Sequence, residues 1–237
     1  MGNQHLYNLT NESYQILISG KLGDGCFVEN KNEKSSFRTN CIYKEYIDFK
    51  GAFLAKDFNT SYSNKINRGY KANMIFNLAT YLDERIYKIH KSSIENTIKN
   101  LDDFGLALWF YDDGTRHKDK NFYQLSTHSF TKEIQEDLFI PLLKDKWGII
   151  AKCIIERKKD GREFWYLNIS KYKGSYEISN LLLKIPLKCF EYKLWSSTTI
   201  HLWSKFQEEL KNKDITNIDP NNLSRIYLNL WRKVSKQ

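Results

Sequence analysis

Two short stretches of this chain are built alike, and their repetition constrains the fold more than any other feature. The first reads LISGKLGDG over 17–25 and the second LALWFYDDG over 106–114. Each is an apolar run of helical length that ends in Asp-Gly, and the two acids, Asp24 and Asp113, lie 89 residues apart. A second pair follows in the same order. IYKIHKSS over 86–93 and EYKLWSST over 191–198 share Tyr-Lys-(Ile/Leu)-x-x-Ser and place Lys88 and Lys193 at matching positions. A chain of 237 residues with two such series reads as one unit of about half its length, written twice. The expected divisions are 1–100, 101–200 and a remainder, 201–237.

Between each Asp-Gly and each Tyr-Lys the pattern is strand, strand, helix, strand, strand. Over 34–43 the polar residues Lys34, Ser36, Arg38 and Asn40 alternate with Phe37, Cys41 and Tyr43. Lys71, Asn73 and Asn77 alternate with Ala72, Met74, Phe76 and Leu78. In the second half Lys120, Gln124, Ser126 and His128 alternate with Tyr123 and Leu125, and Arg162, Tyr166, Asn168 and Ser170 with Trp165, Leu167 and Ile169. Period-two alternation marks a sheet with one face buried. The open faces carry Lys, Arg, Asn, Gln and Ser, the side chains that meet base edges and phosphates. Helices are expected over 45–57, through Ile47, Phe49, Phe53 and Leu54, and over 132–146, through Ile134, Leu138, Leu142 and Leu143, the latter capped by Thr131. The tail has no counterpart in the first half. It reads as amphipathic helices over 201–211 and 223–234 around Asp219-Pro220, with Ile226, Leu230 and Val234 on one face.

Composition narrows the function. The net charge of +9 favours a polyanionic partner, although a lysine-heavy, Asn- and Ile-rich chain also arises from A·T-rich coding. Eleven Gly and three Pro against 15% aromatic residues exclude disordered and collagen-like chains. No apolar run approaches the ~20 residues of a membrane helix, and the N-terminus has no secretory pattern. A soluble, intracellular protein is expected. Cys26, Cys41, Cys153 and Cys189 form no C-x-x-C pair, so reduced, mostly buried thiols are expected rather than zinc ligands or disulfides.

An Asp-Gly that ends a single helix reads as an ordinary C-cap, the glycine supplying φ > 0. Two in register read differently. Small residues at Ser19, Gly20 and Gly23 allow close helix approach, and a packed pair of these helices sets Asp24 beside Asp113. Two adjacent carboxylates each disfavour ionisation of the other unless a cation lies between them. Oxygen ligands at helix C-termini suit a hard divalent ion, which can generate hydroxide and stabilise the leaving oxygen of a phosphodiester.

At these residues the sequence resembles the LAGLIDADG homing endonucleases, in their single-chain form with two motifs. The second motif matches the variant L-A-x-W-F-x-D-D-G of intron-encoded members; the first departs from the consensus at Ser19 and Lys21. The resemblance covers about residues 14–200. It implies an α+β fold in which an αββαββα unit is duplicated about a pseudo-twofold axis, with two saddle-shaped antiparallel sheets around a central two-helix interface; the C-terminal helices read from the tail lie outside the resemblance. It also implies a monomer that cuts both strands of a long asymmetric double-stranded DNA site and leaves 3′ overhangs, the sheets lying in the major groove. Asp24 and Asp113 become metal-binding catalytic acids for Mg²⁺ or Mn²⁺, joined by the carbonyls of Gly23 and Asp112. The Asp112 carboxylate, about 100° round the helix, has no catalytic role. Lys88 and Lys193 fall near the water network at the scissile phosphate, with Lys91 as a competitor in the first half. Arg38, Asn40, Lys71, Asn73, Lys120, Gln124, Lys152, Arg162, Tyr166 and Asn168 are expected at bases. Lys65 and Arg68, in a turn before a strand, and Arg116 and Lys118 are expected at phosphates. The alternative is a group I intron RNA maturase on the same scaffold. Either would act where the host genome lies: bacterial or phage-infected cytoplasm, or an organelle.

Overall fold

The structure is a computed structural model that describes residues 7–67, 73–117, 122–158, 160–169, 173–185 and 187–194, all within one compact unit, Met1–Leu194. Arg68, Lys71, Lys118, Lys120, the side chain of Asn73 and the expected tail helices lie outside the described residues.

The first half runs α1 (Asn11–Leu22), β1 (Cys26–Glu29), β2 (Ser35–Cys41), α2 (Lys44–Leu54), β3 (Thr60–Asn67), β4 (Asn73–Thr80), α3 (Glu84–Lys91), with a short α4 (Ile94–Lys99) as connector. The second half repeats the series. It has α5 (Asp103–Asp113), β5 (Gly114–His117), β6 (Phe122–Leu125), a helical segment, β7 (Ala151–Arg157), β8 (Glu163–Ile169) and then α8 (Lys173–Leu183). That helical segment consists of α6 (Lys132–Ile134), a π-helix (Gln135–Phe139) and α7 (Ile140–Trp147). A 3₁₀ helix, Lys188–Lys193, closes the described chain. Each half forms a four-stranded antiparallel sheet, in the orders β1-β2-β4-β3 and β5-β6-β8-β7. The order is identical in both, so the duplication read from two motifs extends to the strand pairing.

α1 and α5 pack against each other at the centre. Ile16, Leu17, Ile18, Leu22, Leu106, Ala107, Leu108, Trp109 and Phe110 are all at most 2% exposed. Both helices are buried nearly all round, as befits sequences with no polar stripe. Thr10 caps α1 by accepting from Ser13 N–H, and Asp102 caps α5 by accepting from Gly105 N–H.

Several sequence expectations are corrected here. The helix expected over 132–146 begins at Lys132 under a Thr131 cap, but a π turn interrupts it. Pro141, at the start of α7, has no N–H for the carbonyl four residues back, and the wider turn absorbs that loss. α2 buries Tyr46, Ile47, Lys50, Gly51 and Leu54. Phe49 and Phe53 sit at its flank, in an aromatic cluster with Phe104. The cysteines are free thiols, but none is buried: Cys26 is exposed and the others are half-buried. Cys26 pairs with Arg38 across β1 and β2, which puts it on the open face of the sheet.

The two Asp-Gly glycines serve space rather than left-handed backbone. Among described glycines only Gly148 and Gly161 have positive φ. A Cβ on Gly114 would lie 2.5 Å from the Phe110 carbonyl oxygen, and one on Gly25 would lie 2.6 Å from that of Gly20. Gly20 is itself pressed against the Phe37 ring, with 2.6 Å left for a Cβ. It therefore lets α1 approach its own sheet rather than the partner helix. Since Gly114 is buried and its clash meets the Phe110 backbone, Gly114→Ala should cost about 1–3 kcal/mol and lower Tm by roughly 3–10 °C, measured by thermal unfolding monitored with circular dichroism. Among the described residues no helix is long and apolar enough to cross a membrane.

Candidate active site

α1 ends at Leu22 and α5 at Asp113, and the seam between these ends is very tight. A Cβ on Gly23 would stand 2.9 Å from Asp113 Oδ2, 3.2 Å from Asp112 Cβ and 3.3 Å from Trp109 Cδ1. Only a glycine lets the chain before Asp24 pass so close to the second motif. The result is three carboxylates, Asp24, Asp112 and Asp113, gathered where the halves meet.

Their electrostatics differ. Asp113 is pushed up to about 7, first by burial and then by the charges of Asp24 and Asp112. The indole of Trp109 opposes this, as does Lys193; Trp109 Nε1 is buried and falls short of regular hydrogen-bond geometry to any partner. Asp24 keeps solvent exposure as a residue. Its carboxyl is nonetheless raised, first by partial desolvation and then by Asp112, with Lys50 and Lys193 opposing. Asp112 is engaged elsewhere. It accepts from Lys50 Nζ at 2.9 and 3.0 Å and from Tyr46 Oη at 2.8 Å. The side chains of Lys50 and Asp112 are 0% and 3% exposed.

Lys193 lies at the centre, beside the end of α5. It is 6% exposed and donates to the carbonyls of Phe110 at 3.2 Å and Tyr111 at 2.6 Å, near the C-terminus of α5. Burial depresses its ammonium to about 8 against the pull of Asp112, Asp113 and Asp24. Its placement is built from both halves. Glu45 of α2 accepts from the backbone N–H groups of Lys188 and Cys189 at 3.1 and 3.0 Å. Phe190 stacks on Tyr111 at 4.8 Å and meets Tyr46 edge-on at 4.9 Å. Tyr123 Oη donates to the Lys193 carbonyl.

Lys88 does not take the equivalent place. α3 buries Ile86 and Ile89, which turns Lys88 outward, 61% exposed, toward Glu84 at 3.7 Å. Lys91 is paired with Glu29 at 2.7 Å. The repeat is real in sequence, but its first copy forms an α-helix and its second a 3₁₀ turn, so matching lysines point differently. Lys21, where motif one departs from consensus, donates to the carbonyls of Ile89 and Ser92 and ties α1 to the end of α3.

Two carboxylates beside a desolvated seam fit a hard divalent ion. Among the described residues no cluster of three or more His, Cys, Asp or Glu is arranged to hold a metal. An ion held by Asp24 and Asp113 would complete its shell with backbone oxygens and water, as Mg²⁺ sites commonly do.

A sequence profile of the LAGLIDADG DNA endonuclease family matches residues 14–175. The chain belongs to this family. Among solved structures, the homing endonuclease I-WcaI bound to its DNA recognition sequence superposes with a TM-score of 0.63 at 21% identity, covering 79% of this chain and 87% of that one. The N-terminal LAGLIDADG domain of DUF199/WhiA aligns at TM-score 0.45 and 16% identity, over 78% of this chain and 90% of that one. A variant of I-DMOI in complex with nicked target DNA and manganese aligns at 0.47 and 14%, over 74% and 98%. Among curated proteins no sequence matches.

The LAGLIDADG sheets sort the remaining candidates. Strand register sets Arg38, Asn40, Asn77 and Lys65 on one face of the first sheet, with Arg38, Asn40 and Lys65 exposed. Lys65 lies inside β3, paired with Ile75, rather than in a turn. In the second sheet Lys152, Gln124 and Asn168 are cross-strand neighbours. Thr115, Gln124, Ser126, His128, Glu156 and Tyr166 line a groove of about 300 Å³ on that face. Arg162, expected at bases on a strand face, lies instead in the turn before β8, exposed and paired with Asp160 at 2.7 Å. Arg116 is a correction. It opposes buried Tyr123, on the covered face, and donates to the Leu194 carbonyl, so it fastens the closing segment instead of reaching outward.

Sequence reading missed Lys50, Tyr46 and Trp109. Lys50 had a signal: a lone cation four residues after Tyr46 and four before Leu54, on one face of a helix, must find a buried acid.

The raised Asp113 has a pH consequence. Its folded pKa, about 7, stands above the ordinary 3.8. The stability it contributes is complete below the ordinary value and is lost as pH rises through about 7. Asp113→Asn removes that loss. In chelator, the mutant should gain about 1–2 kcal/mol over wild type at pH 8 relative to pH 5, seen as a Tm advantage of roughly 2–8 °C in paired melts. A difference that does not change between the two pH values would refute the assignment.

Proposed function

We propose that this chain is a site-specific DNA endonuclease that hydrolyses both strands of a long asymmetric duplex site with a divalent cation, Mg²⁺ or Mn²⁺, and leaves 3′ overhangs. The observation that carries the reading is the meeting of Asp24 and Asp113 at the seam between two like halves, each with a polar-faced sheet, in a member of the LAGLIDADG DNA endonuclease family.

In this reading Asp24 and Asp113 hold the cation, with the carbonyls of Gly23 and Asp112 adjacent. The cation supplies charge stabilisation at the phosphate and an activated water. Lys193, fixed by the Phe110 and Tyr111 carbonyls, orients water or offsets charge at the scissile phosphate. Arg38, Asn40, Gln124, Lys152, Tyr166 and Asn168 present donors and acceptors to the major groove, and Lys65 and Arg162 meet phosphates. The protein acts as a monomer where its host genome lies, because the two halves already supply two sheets and two acids.

Cleavage of a genomic or randomised DNA pool with Mg²⁺, with ends mapped by sequencing, tests this reading. Recurrent staggered ends at one long motif are expected from the wild type. Asp24→Asn or Asp113→Asn should abolish cutting and leave site binding within about tenfold, with affinity falling steeply as salt rises. Double-strand cutting retained by either variant would refute the two-acid assignment. A folded wild-type protein that yields no recurrent ends and binds group I intron RNA would replace the nuclease by the maturase.

A further inference from the structure

The two motifs each run an apolar stretch into Asp-Gly, and among their differences is the residue before the acid. The first has Gly23 and the second Asp112, and these two positions meet, 3.2 Å separating a Cβ on Gly23 from Asp112 Cβ. Asp112 thus brings a third carboxylate to the junction that holds Asp24 and Asp113. A hard cation with room for six or more oxygens would take it. It is withheld by a device from the other half: α2 buries Lys50 completely, and Lys50 Nζ and Tyr46 Oη together supply three hydrogen bonds to the Asp112 carboxylate at 2.8–3.0 Å. Burying a lysine is costly unless its partner is held in good geometry. The Tyr46 ring lies under the ammonium at 4.3 Å and completes its surroundings.

We infer that Lys50 is a positioning residue for the metal centre: with Tyr46 it sequesters the Asp112 carboxylate, so that the centre offers a divalent ion two carboxylates rather than three. The inference rests on the reading that Asp24 and Asp113 hold that ion. Lys50 touches neither substrate nor metal and acts through Asp112. It determines how much negative charge the ion meets, and hence how tightly an ion is held before DNA arrives.

The two partners of the pair therefore have opposite effects. Lys50→Met frees Asp112 and leaves an uncompensated carboxylate beside the ion, which should tighten Mn²⁺ and Ca²⁺ binding by about tenfold or more. Asp112→Asn leaves Lys50 as an uncompensated cation and should weaken binding by a similar factor. Lys50→Met/Asp112→Leu removes both charges and should return affinity to within about threefold of wild type. The measurement is titration of the full-length, DNA-free protein with Mn²⁺ or Ca²⁺ alone, by calorimetry and by Mn²⁺ electron paramagnetic resonance. A structural pair would move both single variants in the same direction, and that outcome, or unchanged affinity in both, overturns the inference. Should Lys50→Met fail to fold, Asp112→Asn and the double variant still decide it: weakening in the first and recovery in the second support it, and any other pattern refutes it. Failure of the underlying reading looks different, because wild type would then bind no ion or Asp24→Asn/Asp113→Asn would bind it unchanged.

Discussion

The approach of two buried helices at Gly23 governs the rest of the molecule. A single hydrogen in place of a side chain lets the chain before Asp24 pass within van der Waals reach of Asp113 and Trp109. Everything polar at the centre follows from that proximity. The carboxyls crowd, burial and mutual repulsion hold Asp113 near neutrality, and lysines arrive from both halves to balance them. The apolar bulk of α1 and α5 provides the driving force, since side chains such as Leu17, Leu106 and Trp109 leave water entirely. That force brings like charges together at the end of the interface, where a cation or protons must compensate.

Much of this was legible in the sequence, and for physical reasons. Apolar runs ending in Asp-Gly, repeated in register, gave two central helices and their acids. Period-two alternation gave the sheets, because a strand with one wet face must alternate: Arg38 and Asn40 point out while Phe37 and Thr39 are buried. What was not legible depends on contacts between elements far apart in the chain. Lys88 and Lys193 occupy the same place in a repeated phrase, yet the amphipathic demand of Ile86 and Ile89 turns one outward while the stacking of Phe190 turns the other in. Arg116 is one residue away from the open face, and a one-residue step along a strand reverses the side chain.

Lys50 is the instructive omission. A cation on the apolar face of an amphipathic helix contradicts the pattern that identifies the helix, and such contradictions concentrate where function or pairing requires them. Its partner was in view as the first Asp of Asp-Asp-Gly, but nothing in the linear text joins positions 62 residues apart. The glycines carry a related lesson. Gly25 and Gly114 resemble ordinary helix caps, yet their backbones are not left-handed, and it is the space they vacate that matters.

The unequal residues before the two acids also bear on how the halves can be combined. Each half, seen alone, carries one member of a buried ion pair: the first has Lys50 and no acid before Asp24, the second has Asp112 and, in its own helical segment, no lysine in the buried face. Two copies of the first half set face to face would bury two ammonium groups opposite glycine. Two copies of the second would add a pair of carboxylates to a centre already rich in them. Both arrangements strand charge in the interior, at a cost of several kcal/mol per ion. The duplication has thus lost its interchangeability, since each half buries a charge whose partner stands in the other.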